Sequence, residues 1–233
     1  SLPTFHRESL ETWLTDREPQ VPEAEAERKA LLLPDTHTNY NNPAAGKAAV
    51  RVLEAVGVHV RLATEAGPSG RPPLSKGLVD LARERAQANV DSLAPRAADG
   101  WDVVVVEQSD AVMLQSDYHD LLAGDDVHTL SGATYGVFEY LDTFQLDTGL
   151  DADGSGSLTY HGHCHQKATR KDHHAVGVLR RAGYTVDPLD STCCGMAGSF
   201  GYEAEHHSMS KAIGRILFDQ VDDAAGDTVV APG

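Results

Sequence analysis

Cysteine is scarce in this chain, with three residues in 233, and so is lysine, with six against 22 aspartates. Three thiols, two of them adjacent, make a poor disulfide framework, so the fold does not rest on cross-links. An odd cysteine count without a secretory pattern points to a reducing compartment, where thiolates are free to bind metal. No stretch approaches the roughly 18 apolar residues that a membrane span needs, and no charged-then-apolar signal opens the chain. A soluble, cytoplasmic protein is expected. The net charge of −16 argues against nucleic acid as a partner, because phosphate binding needs clustered Lys and Arg. Aspartate-rich acidity with little lysine reads as the solvated surface of a halophile, in keeping with a haloarchaeal source. An opening at Ser1-Leu2-Pro3 in place of Met suggests a trimmed or excised segment.

What is present is a hydrophobic content of 41%, ample for a core, in an α/β order. Residues 1–29 read as an N-terminal connector: a short amphipathic stretch (Leu10, Trp13, Leu14), then a Pro/Glu-rich linker. From Ala30 the pattern predicts a strand over Ala30–Leu33, a helix over Ala44–Val56 stopped by Gly57, and a strand over Val58–Leu62. A Gly/Pro-rich loop at 67–73 follows, then a helix over Gly77–Ala94, a strand over Trp101–Val106 and a helix over Ser109–Leu122. The order repeats from Leu158: a strand to Tyr160, a helix over Ala168–Ala182 stopped by Gly183, and a strand over Tyr184–Leu189. A glycine-rich loop comes next, then a helix from about Glu203 to Phe218 and a strand over Thr228–Ala231. Val52-Leu53 before Gly57 matches Val178-Leu179 before Gly183, and Gly70 and Gly195 follow at nearly equal spacing. An internal duplication is therefore expected, 30–150 and 151–233, as two pseudo-symmetric βαβ-type halves with parallel sheets flanked by helices. The second copy ends early by comparison with the first.

The three cysteines fall on loops that follow strands of the second half, at the sheet edge where α/β folds place their sites. Cys164 lies in His161-Gly162-His163-Cys164-His165-Gln166, and 28 residues separate it from Cys193-Cys194-Gly195, which opens the glycine-rich loop. Two loops aiming thiolates at one centre point to metal–sulfur chemistry, set against three unrelated buried thiols. Gly195 and Gly198, with Gly201, permit tight turns and leave backbone N–H groups free to face sulfide or carboxylate; simple close packing is the other reading. His163 and His165 share a face of an extended segment, so either can ligate a metal, donate to a sulfur, or serve as a structural histidine. Lys167 reads as an electrostatic neighbour of such a centre or as a solvated lysine at a helix start. His173, His174, His206 and His207 read as surface residues.

The segments His161–Ala168 and Cys193–Glu203 resemble the cysteine-rich CCG domain family. It includes the cysteine-rich component of heterodisulfide reductase, iron–sulfur components of glycolate oxidase and anaerobic glycerol-3-phosphate dehydrogenase, and the C-terminal part of FAD-linked oxidases of the D-lactate dehydrogenase type. The resemblance covers roughly residues 30–233. It implies that Cys164, Cys193 and Cys194 are ligands of an iron–sulfur cluster of the 4Fe-4S type, with Gly195 and Gly198 beside it. The implied role is electron transfer from a flavin-dependent 2-hydroxyacid or glycerol-3-phosphate dehydrogenase. FAD would belong to an upstream domain or partner, a ferredoxin-type cluster domain would stand between, and a quinone or other carrier at the inner face of the membrane would receive the electrons. Two departures stand out. The first half has Asp35-Thr36-His37-Thr38 and Pro68-Ser69-Gly70 where the family has cysteines, so it cannot hold an all-cysteine cluster. The chain also stops at Gly233, before the segment that carries the family's last cysteine. The alternatives are a structural zinc site built from Cys164, Cys193 or Cys194, and His163 or His165, and a docking module with no redox role.

Overall fold

The computed structural model describes residues 4–150, 153–190 and 193–232, and it falls into two compact units, 1–150 and 151–233. The sequence readings that touch Ser1–Pro3, Thr192 and Gly233 lie outside the described residues.

The first unit is built on a parallel sheet of four strands: β1 (Arg28–Leu33), β2 (Val58–Leu62), β3 (Trp101–Val105) and β4 (Thr134–Gly136), in the order β2-β1-β3-β4. Both faces of a parallel sheet are covered, which is why Ala30–Leu33 and Val103–Val105 are apolar without alternation and all buried. Helix Pro43–Ala55 starts on a proline, whose missing N–H costs nothing in a first turn, and passes into β2 through Gly57 at φ +81°. Helix Val79–Ala98 buries Ala82, Ala86, Val90 and Leu93, a stripe at helical spacing. That stripe meets Leu31, Leu33, Val103, Val127 and Leu130 in the main core.

The segment read as a connector is packed onto this unit in part. Helix Leu10–Thr15 buries Leu10 and Leu14, and a Cβ at Gly46 would lie 2.4 Å from the Leu10 side chain. Beyond it, Arg17 donates to both oxygens of the buried Glu54 at 2.8 and 3.0 Å. Two expected helices are also subdivided. Ser109–Leu122 is a helical turn Gln108–Val112, a wider π-type turn Met113–Asp117 and a last turn Tyr118–Leu121. The strand β4 and the helices Asp125–Gly132 and Val137–Thr143 on either side of it carry no counterpart in the sequence reading.

The second unit holds β5 (Ser157–Tyr160), β6 (Thr185–Pro188) and β7 (Thr228–Val230), again parallel and in the order β6-β5-β7. This is the β2-β1-β3 order of the first unit. The registers agree: Leu32 pairs with Leu62 and Val104, and Tyr160 pairs with Pro188 and Val230. The loops after β2 and β6 agree as well. Gly70 (φ +91°) would bring a Cβ to 3.0 Å from the Ala82 carbonyl, and Gly195 (φ +87°) to 2.3 Å from the Ser210 carbonyl. In each unit a left-handed glycine lets the loop lie on the first turn of the next long helix. In the second unit that helix is His207–Asp223, preceded by 3-10 turns at Phe200–Tyr202 and Ala204–His206, so it begins later than the spacing predicts. Within the helix expected over Ala168–Ala182, Ala168 ends a short helix, Cys164–Ala168, and a second helix, His173–Arg181, follows, because Arg170 takes a left-handed conformation at φ +58°. The segment read as extended is therefore helical from Cys164 on, and His163 and His165 do not share the face of a strand.

Candidate functional site

Cys164 is delivered by the end of β5. The ladder runs one residue past Tyr160: Leu189 N–H donates to the Tyr160 carbonyl and His161 N–H to the Val230 carbonyl, each at 2.9 Å. Gly162 then turns the chain, where a Cβ would come within 2.9 Å of the Lys167 side chain. His163 caps the short helix Cys164–Ala168, its Nδ1 accepting the His165 N–H at 3.3 Å. Cys164 is thus the first helical residue. Lys167 donates from Nζ to the Leu189 carbonyl at 3.2 Å. It is neither a bare surface charge nor simply a neighbour of the thiols, since it ties the loop after β5 to the end of β6.

Cys193 and Cys194 are delivered by the loop after β6, pinned in two places. The Gly195 approach to Ser210 is one; the other is Gly214, where a Cβ would sit 2.9 Å from the Cys194 carbonyl. Gly195 turns its N–H back onto the Cys193 sulfur at 3.3 Å. Gly198 has φ +67° with nothing near its missing Cβ, so its freedom is used for backbone conformation alone.

The two loops converge. Burial pushes the Cys164 thiol above its usual range, and Cys193, by charge and by hydrogen bond, and then Cys194, by charge, push it further the same way. Neighbouring thiols resist a second negative charge, so this direction records the gathering of sulfur at one edge. All three cysteines are free, Cys164 exposed and the pair half-buried. Among the described residues the three sulfurs do not form a set with every pair within 4.8 Å. They are adjacent without being closed on one point.

The histidines divide into roles. His163 and His165 meet edge to face with ring centroids 5.3 Å apart. A Nδ1 that accepts a backbone N–H leaves the proton of a neutral His163 on Nε2, which makes that atom a donor. Burial, and then Lys167, lower the pKa of His161 and favour its neutral form. His206 is not a plain surface residue: its ring stacks on Phe200 at 4.2 Å and its Nδ1 lies 2.9 Å from Glu203 Oε2. His173 and His207 are exposed, His173 with Nδ1 2.9 Å from the Arg170 carbonyl, while His174 is half-buried.

The matching edge of the first unit holds oxygen in place of sulfur. By the strand registers, Asp35 stands where His163 does, and it too accepts from the start of the next turn, Oδ1 from Thr38 N–H at 2.8 Å. Ser69 precedes Gly70 as Cys194 precedes Gly195, and its hydroxyl donates to Asp110, just beyond β3.

Both units are parallel α/β folds, and the second carries three free cysteines on the loops at one edge of its sheet. Residues 158–233, most of the second unit, match the family model of the CCG cysteine-rich domain. Across nearly its whole length the chain is similar to a subunit of the anaerobic glycerol-3-phosphate dehydrogenase of Escherichia coli (strain K12), 27% identical over an alignment 241 positions long that covers 99% of this chain and 58% of that protein. It is also similar to the glycolate oxidase iron-sulfur subunit of the same organism, 26% identical over 207 residues, 85% of this chain and 50% of that protein. A third relative is lactate utilization protein A of Bacillus pumilus, 27% identical with 68% of each chain covered. The chain thus spans a little over half the length of the first of these and half of the second. No helix among the described residues is long and apolar enough to cross a membrane.

Proposed function

We propose that the chain is an electron-transfer module of a flavin-dependent dehydrogenase, acting on a 2-hydroxyacid or on glycerol 3-phosphate, and that Cys164, Cys193 and Cys194 hold an iron–sulfur cluster of the 4Fe-4S type. The observation that carries this reading is that the loop bearing Cys164 and the loop bearing Cys193 and Cys194 follow neighbouring strands at one sheet edge, tied together by the Lys167 Nζ bond to the Leu189 carbonyl and held by Gly195 and Gly214. Relatives named as a dehydrogenase subunit and as an iron-sulfur subunit support it. A soft, sulfur-only donor set fits iron–sulfur chemistry better than it fits a hard cation. When bound, the cluster supplies one-electron transfer.

The chain's own residues prepare the edge. The Gly195 N–H donates to the Cys193 sulfur, and the His163 Nε2–H is a second donor on the same loop pair. Three thiols are one short of the usual four, which leaves a position for a further ligand. The first unit, a CCG-like repeat without cysteines in this reading, holds no cluster. FAD belongs to a partner protein or domain, a ferredoxin-type domain feeds the cluster, and a quinone or other carrier takes the electrons.

The alternative is a zinc site completed by His163 or His165, and the geometry at His163 counts against that residue as the ligand. Zinc ligation through Nε2 would move the proton to Nδ1, where it would face the His165 N–H that Nδ1 now accepts. Anaerobic reconstitution followed by iron and acid-labile sulfide analysis tests the proposal. We expect a broad visible absorbance that Cys164→Ser, Cys193→Ser or Cys194→Ser each diminishes. A colourless protein that takes up only zinc would overturn it.

A further inference from the structure

We propose that the first unit binds a hard divalent cation, of the magnesium, manganese or calcium class, through Asp35, Glu107 and Asp110 at the carboxyl edge of its sheet, with the Ser69 hydroxyl beside them. The chain leaves β1 for β2 on one side and returns to β3 on the other. The crevice between the ends of β1 and β3 is therefore the topological switch point, where α/β sheets receive ligands. Asp35 follows β1, and Glu107 and Asp110 follow β3, so the three carboxylates come to this place from both sides.

Asp35 is the observation that points to a ligand. It is 7% exposed, the Thr38 side chain and N–H both bond to its carboxylate, the N–H at Oδ1, and its Oδ2 is buried with no hydrogen-bond partner. A buried carboxylate oxygen left unmatched is costly. The charges acting on Asp35 are Glu107, of the same sign, and His37; those acting on Asp110 are Asp35, Glu107 and Arg71. Arg71 is committed elsewhere, to Asp117 and to the Ser109 carbonyl. Burial and mutual repulsion raise both aspartates toward protonation, and a cation among them would relieve both effects. Like charges hold themselves apart, and the three do not all lie within 4.8 Å of one another. A divalent ion draws such groups in to the oxygen distances it needs.

The support around the site is rigid. Gly70 forms the tight turn that presents Ser69, which is itself 5% exposed. The Ser69 carbonyl accepts from the buried Tyr118 hydroxyl at 2.8 Å, and Asn89 holds Tyr118 at 3.0 Å. The proposal is independent of the thiol edge of the second unit.

The test is manganese binding to the whole chain, followed by electron paramagnetic resonance in high potassium chloride so that the acidic surface is screened. We expect one saturable site per chain, displaced by magnesium or calcium. Asp35→Asn and Asp110→Asn should each weaken it by about tenfold or more, with the far-UV circular dichroism unchanged. The exposed pair Asp125→Asn/Asp126→Asn should bind as the parent does, and so should Cys193→Ser. Absence of a saturable site, or equal binding by the two aspartate variants and the parent, would overturn the proposal; so would loss of manganese binding in Cys193→Ser.

Discussion

Replacing Gly195 by alanine tests whether the thiol loop is held by close approach or only by backbone freedom. The residue has φ +87°, and its added Cβ would lie 2.3 Å from the Ser210 carbonyl oxygen and 3.1 Å from that carbonyl carbon. Both are backbone atoms of a long helix and cannot swing aside. Gly198, three residues on, has φ +67° and open space around it, so Gly198→Ala meets only the conformational penalty, about 1 kcal/mol. Gly195→Ala meets that penalty plus overpacking of about 1–3 kcal/mol, for a combined loss of about 2–4 kcal/mol. In a unit of this size each kcal/mol moves the melting temperature by roughly 4–8 °C. Both tryptophans, Trp13 and Trp101, belong to the first unit, so their fluorescence follows that unit and far-UV circular dichroism follows both. The loss should therefore appear in the dichroism and leave the tryptophan transition in place, with Gly195→Ala clearly below Gly198→Ala. If the two variants melt together, the Ser210 contact does not hold the loop and the account of Cys193 and Cys194 as a pinned pair fails.

Tyr160→Phe should be neutral or stabilising, by up to about 1–2 kcal/mol, because the Tyr160 hydroxyl is buried with no hydrogen-bond partner. Burial, and then Asp172, push that phenol up to about 12. The folded state therefore keeps its proton above the unfolded value, and stability falls as pH rises from about 10 to about 12; urea titrations across that window should show Tyr160→Phe losing less than the parent. Arg17→Ala leaves the buried Glu54 carboxylate with only the Gln20 N–H, and should cost about 3–5 kcal/mol by chemical denaturation, with Glu54→Gln in the same background restoring part of it. Asn89→Ala removes the acceptor of the Gly67 N–H and the donor to Tyr118. It should destabilise the first unit by about 1–3 kcal/mol and weaken manganese binding with it, because the Ser69 loop is hung from that pair.

How much of this could be read from the sequence depends on how many residues an element needs. The strands β1 and β3 were legible from their apolar runs and β2 from the alternation of Val58, Val60 and Leu62 with polar residues, and the turns after helices because Gly57 and Gly183 take φ values that other residues avoid. β4 is three residues long and ends in glycine, so it has too little pattern to be seen; only its pairing with Val103–Val105 defines it. The break at Arg170 was hidden for a related reason, since nothing in a Thr-Arg-Lys-Asp run marks a left-handed residue. The thiol edge was legible because cysteine is rare here and a doublet before glycine is rarer still. The carboxylate edge was not, because aspartate is the chain's commonest charged residue and Asp35, Glu107 and Asp110 are scattered among 35 acidic residues. What singles them out is position at two strand ends on either side of one crevice, with a buried oxygen left unmatched. A duplicated fold therefore offers a route that composition does not. Once the registers equate Leu32 with Tyr160, the loops that bear sulfur in one copy identify the loops to inspect in the other, whatever residues have come to occupy them.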